Sequence, residues 1–300
     1  MGDAAGTRDR AAALGASVVA AVAWGFGGVL AALTTAPGVV LTFYRMALGA
    51  LLLLVVVGLA GRRVTAAVLR ASIPGGLLLA ADMALFFSAV KLTSVAVATV
   101  IGALQPALVL LVAGPFLGER ITRAKVAWTA VAIGGVAVIV VGGGAPGHDA
   151  LAGDLLAIGS LVAWSGYFVA SKWARDHRGV DALEYTAGVT VVGAVVMLPT
   201  VYVVGDTLGQ VHAGDWLWIV LLAVIPGTAH VLMNWAHRHL DVSVSSVVVS
   251  ANPIVAAVAA YCILGQTLAD LQIAGGVVGI VGIAVVAALG QPASGIEELA

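Results

Sequence analysis

The feature that most constrains this chain is a succession of apolar stretches, each near the length that crosses a bilayer and each closed by a short polar break. Crossing the hydrocarbon takes roughly 20 apolar helical residues, and stretches of that kind recur along the whole 300 residues. Residues of hydrophobic type make up 61% and charged ones only 10%, with a mean hydropathy of +1.10. Soluble domains carry about 25% charge, so a water-soluble fold could not hide this much apolar surface. Strand-like alternation is weak, which argues against a closed barrel. The expected fold class is therefore an all-α membrane protein.

Breaks at Pro, Gly and charged residues place ten transmembrane helices near 12–34, 38–60, 73–91, 93–117, 124–142, 152–173, 182–205, 215–236, 242–264 and 271–289. The first follows Arg8 and Arg10 but is longer than the roughly 7–15-residue apolar core of a signal sequence, so it is expected to span. Connections are short and polar, with no soluble domain expected between them.

Cationic loops are retained in the cytoplasm. With the N-terminus inside, twelve of the fourteen Lys and Arg fall on the cytoplasmic side, from Arg8 to Arg238. Lys91 falls outside and Arg45 within a span, so both termini are expected to be cytoplasmic. The net charge of −1 gives no global pull toward nucleic acid. The single cysteine, Cys262, has no intrachain disulfide partner and is expected to be a small buried residue.

The chain repeats itself. A shift of 147 places Pro106 on Pro253, Gly118 on Gly265, Gly135 on Gly282 and Lys91 on Arg238. A shift of 140 places Ala23-Trp24 on Ala163-Trp164. Each half has five spans, so the second must enter the membrane in the opposite sense, giving two inverted five-helix repeats that enclose a site near the midplane. The expected organisation is a cytoplasmic tail at 1–11, one repeat at 12–147, the other at 148–289 and a second cytoplasmic tail at 290–300.

These residues resemble the EamA family of the drug/metabolite transporter superfamily over nearly the whole chain. The likeness rests on Trp24-Gly25, on Phe43-Tyr44-Arg45-Met46-Ala47, and on Gln105-Pro106 leading to Gly118-Glu119-Arg120-Ile121-Thr122. Asn252-Pro253 and Leu264-Gly265-Gln266 echo it in the second half, with Gln266 where the family pattern repeats a Glu. The resemblance implies a carrier, often an exporter, of metabolites such as amino acids, held in the plasma membrane. Its EamA-like helices imply a multi-pass secondary transporter working by alternating access.

Several polar residues lie where lipid would penalise them. Arg45, inside the second span, costs roughly 2.5–3.5 kcal/mol on insertion scales. It is open to three uses: a substrate or gate contact, a structural pair with Asp82, or snorkelling to the outer surface. Asp82, mid-span, is the coupling candidate, where a proton could compete with substrate; a neutral or paired structural carboxylate explains the same residue. Pro106 and Pro253 each remove a helical donor beside the amides of Gln105 and Asn252, and matched breaks suit either a central site or a packed kink. Pro226 precedes His230 and Asn234, polar groups at helical spacing. Trp24, Trp164 and Tyr167 wall a pocket or fill helix grooves, whereas Trp216 and Trp218 suit an interfacial belt. Gly135, Gly275 and Gly279 allow close helix contact, leaving monomer and homodimer both open.

Other function classes lack support. No nucleophile elbow, zinc-helix motif or P-loop is present in the sequence, so no catalytic residue, metal, cofactor or ATP coupling is expected. An intramembrane enzyme and a non-transporting scaffold or receptor are the alternatives to a transporter. The expected partners are a small-molecule substrate, membrane lipid and, as coupling ion, protons.

Overall fold

The computed structural model describes residues 2–105, 108, 122–142, 150–236, 249 and 252–288. Among them the α-helices are α1 (Gly2–Ala32), α2 (Gly38–Leu59), α3 (Ala66–Leu92), α4 (Val95–Gly102) and α5 (Arg123–Gly142). There follow α6 (Ala150–Arg178), α7 (Ala182–Val203), α8 (Asp215–Ala236), α9 (Asn252–Leu264) and α10 (Asp270–Ala288). No strand occurs among the described residues. Segments of α1, α2, α3, α6, α7 and α8, of 19 to 27 residues, are long and apolar enough to cross a membrane, and α9 and α10 add shorter apolar stretches.

Local chemistry sets the helix ends. Thr65 precedes α3 and its Oγ1 accepts from Val68 N at 3.3 Å; Ser94 caps α4 by accepting from Val97 N at 3.2 Å; Asp181 caps α7 by accepting from Leu183 N at 2.9 Å. Glycines in the left-handed region close α2 and α7 in the same way. Gly61 has φ of 69° and Gly205 has φ of 88°. Beyond them Arg62 N donates to Val57 O at 2.9 Å and Asp206 N to Val201 O at 3.0 Å, the wide bond of a Schellman ending.

The third helix begins earlier than the sequence reading placed it. Pro74 looks like a boundary, yet α3 runs through it from Ala66, because the Thr65 cap fixes the start. In the same way α8 continues unbroken through Pro226, so this proline removes one donor inside a helix and does not end it. Helix α6 runs on to Arg178, where Trp173 stacks on His177 at 5.4 Å and Arg178 lies 5.5 Å from the Trp173 ring.

The packing partners join the two halves of the chain. Helix α3 lies along α6, α1 along α8, α2 along α7, and α5 along α10. Lesser contacts join α3 to α7, α2 to α8, α1 to α9, α4 to α6 and α4 to α9. Approach is close between α5 and α10, where a Cβ on Gly135 would lie 2.6 Å from Gly279 N and 2.7 Å from Gly275 O. The outward faces are apolar: Leu51, Val55 and Leu59 on α2 and Val195 and Val203 on α7 are all exposed. Cys262 joins this surface instead of the core, because α9 turns Ala256, Ala259 and Ala260 inward and leaves Val258, Tyr261 and Cys262 outside. An apolar exterior of this extent fits a bilayer and not water.

Candidate functional site

Seven helices meet around one cavity of about 140 Å³, room for several waters or one small organic solute. Its wall is built from Trp24 on α1, Arg45 on α2, Asp82 on α3, Ser160 and Trp164 on α6, and Pro226 and His230 on α8. Gln105, just beyond α4, and Asn252 on α9 complete it. Both halves of the sequence therefore contribute to one wall, and among the described residues none of α5, α7 or α10 lines it.

One side of the cavity is charged. Arg45 is only 3% exposed, and its Nη1 lies 2.7 Å from Met83 Sδ. Asp82 accepts at Oδ1 from Ser160 Oγ at 2.6 Å. The two charges do not form an ion pair: among the described residues the pairs within 4.0 Å are Arg62–Asp181 and His212–Asp215. Helical geometry explains the separation. Adjacent residues point about 100° apart around a helix, so when Met83 faces Arg45 on α2, Asp82 faces Ser160 on α6. The pairing considered for Arg45 and Asp82 from the sequence is replaced by two separate contacts.

The other side is aromatic. The rings of Trp24 and Trp164 meet edge to face at 5.7 Å, so the two tryptophans that match across the repeat touch each other. Tyr167 stacks on Trp164 at 5.3 Å behind the wall, and His230 sits edge-on to Trp24 at 5.1 Å and to Trp164 at 5.7 Å. Among the described residues two buried polar atoms here have no hydrogen-bond partner, Trp24 Nε1 and Asn252 Oδ1. Pro253 is buried within α9. Pro106 and the side chain of Asn234 lie outside the described residues.

The sequence reading missed Ser160, Thr99, Met83 and Phe86, all of which line the cavity. Ser160 precedes Trp164 by four residues and so shares its helical face. Away from the cavity, Trp216 packs edge to face on Tyr44 at 5.0 Å. Gln266, the departure from the family pattern, accepts at Oε1 from Val95 N at 3.0 Å and so caps α4 from the other half of the chain.

An all-helical, multi-pass membrane protein with a polar and aromatic cavity between its halves defines a class. The chain belongs to the EamA-like transporter family, whose model matches it twice, over residues 11–141 and 151–288. It is 30% identical over 188 residues to a probable terminal-alkyne amino-acid exporter of Streptantibioticus cattleyicolor, an alignment spanning 62% of each chain. It is 30% identical over 176 residues to the aromatic amino acid exporter YddG of Ancylobacter novellus, spanning 56% of this chain and 58% of that one. A crystal structure with 25% identity superposes with a TM-score of 0.66 over 92% of this chain and 97% of the other.

Proposed function

We propose that this protein is a secondary transporter that exports a small organic metabolite, an amino acid or related compound, across the plasma membrane by alternating access. The observation that carries the reading is the cavity, which both halves enclose and which Trp24 and Trp164, matched across the repeat, bring to the centre. In this reading the chain is two inverted five-helix repeats, 12–147 and 148–289, with both terminal tails cytoplasmic. The packing supports it. Exchanging each helix for its counterpart five places on turns the α3–α6 contact into α8–α1, α3–α7 into α8–α2, and α4–α6 into α9–α1, all of which occur. The pairs α2–α7, α4–α9 and α5–α10 map onto themselves, as helices flanking a two-fold axis must.

Arg45, Trp24, Gln105, Trp164, His230 and Asn252 are the proposed substrate contacts, and Asp82 the site through which protons couple. The experiment is a screen of radiolabelled amino acids, nucleosides, amines and organic acids in proteoliposomes, with a proton gradient imposed and then collapsed. Saturable flux of one compound class that responds to the gradient is the expected result. Absence of flux across all four classes overturns the reading in favour of a membrane scaffold.

A further inference from the structure

We propose that the central cavity holds its substrate as a zwitterion, with Arg45 taking the carboxylate and Asp82 together with Ser160 taking the ammonium group. The assignment rests on the transporter reading above and deepens it to a particular chemistry at particular atoms.

The argument starts from two opposite charges that share a cavity and do not meet. In a medium of low dielectric a guanidinium and a carboxylate on adjacent helices gain by closing onto each other. Here they are held apart by the helix they border. Arg45 is directed to Met83, and Asp82 to Ser160 on the neighbouring helix. A thioether is a weak acceptor for a guanidinium with five N–H donors, so Arg45 keeps its capacity for bidentate recognition of a planar anion. Asp82 has one oxygen bonded to Ser160, is not fully buried, and lines the cavity. Its remaining lone pairs suit a donor cation. An α-amino acid carries both partners on one carbon, and both charges line the one cavity.

Two further groups agree. Trp24 Nε1 is a donor and Asn252 Oδ1 an acceptor; both are buried without a partner among the described residues, and both belong to residues of the cavity wall. A carboxylate bound to Arg45 retains lone pairs for an indole N–H, and an ammonium bound to Asp82 retains an N–H for an amide oxygen. The substrate side chain then lies against Trp164 and Phe86, where the wall is apolar. A plain organic anion bound to Arg45 would leave the Asp82 carboxylate without a counter-charge, and a plain amine bound to Asp82 would leave the Arg45 guanidinium without one.

The test uses L-phenylalanine and L-leucine, each beside the carboxylic acid that lacks its amino group and the amine that lacks its carboxylate, with radiolabelled flux measured in proteoliposomes. Sites built around buried polar groups reject analogues missing the matching group strongly, so the parent is expected to favour an amino acid over both truncated forms by at least about tenfold. Asp82→Asn is expected to lose most of the preference over the carboxylic acid, and Arg45→Gln most of the preference over the amine. Asp82→Glu keeps the charge and is expected to keep the preference. Equal rates for an amino acid and its truncated forms in the parent overturn the proposal, and so does full discrimination in Asp82→Asn. Flux of nucleosides alone overturns it and leaves the transporter standing, while no flux of any solute overturns both. If Asp82→Asn does not fold, the parent's own discrimination and the Asp82→Glu variant decide.

Discussion

At the scale of single residues, Lys91 shows how a charge settles inside a membrane fold. Its Nζ donates to Ala31 O at 3.1 Å, Thr34 O at 2.7 Å and Thr34 Oγ1 at 3.2 Å. Those carbonyls end α1, where helix oxygens lack partners and the macrodipole is negative. The sequence alone places Lys91 in an outer loop; the structure places it in the last turn of α3 as the cap of another helix. Hydrogen bonds to charged groups contribute about 1.5–3 kcal/mol, so Lys91→Met is expected to lower the melting temperature of detergent-purified protein by several degrees. An unchanged tryptophan-fluorescence melt would show that water replaces the ammonium at no cost. The same scale explains which site residues were legible. Arg45 and Asp82 stand out because charges are rare in apolar helices. Ser160 and Thr99 do not, since hydroxyls in such helices commonly bond to their own backbone one turn back, as Thr42, Ser72, Thr99, Ser165 and Thr186 do here. Nothing in the letter Ser160 distinguishes its bond to Asp82 from that habit.

Elements were legible where punctuation is local. Gly38 opens α2 after Pro37 and Gly61 closes it, close to the expected 38–60, and α8 matches 215–236 at both ends. Proline misleads at Pro74 because a long helix tolerates the loss of one bond among many, as α3 does there and as α7 does at Pro199 and α8 at Pro226. Which helices lie side by side was not legible in most cases, since ridges and grooves are set by three-dimensional contact of Ala, Val and Leu that recur everywhere. The α5–α10 pair is an exception that its glycines announce. Gly135→Val would drive a Cβ into backbone atoms of Gly275 and Gly279, which cannot move aside as a flexible side chain can. Overpacking of this kind costs about 1–3 kcal/mol. Gly134 has nothing within 4 Å of its would-be Cβ, so Gly134→Ala is the matched control. Size-exclusion profiles and melting temperatures should show Gly135→Val impaired and Gly134→Ala like the parent. Equal behaviour of the two variants would mean that α5 and α10 do not pack through these glycines.

The whole molecule is tied unequally at its two ends. At the end of the α1–α2 loop, buried Asp215 accepts from Thr35 N at 2.6 Å, Thr35 Oγ1 at 2.8 Å and His212 N at 2.9 Å, joining the first half to the second. At the opposite end, Arg62 Nη1 meets Asp181 Oδ1 at 2.8 Å, with side chains 46% and 24% exposed. The proposed inverted repeat exchanges these places: in it the α1–α2 loop corresponds to α6–α7, and the approach to α8 corresponds to the approach to α3. Charge-assisted bonds to a buried carboxylate contribute about 1.5–3 kcal/mol each, whereas an exposed ion pair contributes about 0–1 kcal/mol. The end at Asp215 is therefore the more tightly held, and in the proposed orientation, where it faces outward, the cavity is expected to open toward the cytoplasm first. A cysteine in place of Thr99, which lines the cavity, reports this in a Cys262→Ser background. A membrane-impermeant thiol reagent should label it faster from the cytoplasmic side. Asp215→Asn removes the charge and one acceptor oxygen, weakening the tie, and should raise labelling from outside by about tenfold, the shift that some 1.4 kcal/mol produces. Arg62→Ala, at the weaker tie, should change either rate by no more than about fivefold. Equal labelling from both sides in the parent, or no response to Asp215→Asn, would mean that the polar contacts around Asp215 hold a loop in place without closing the path.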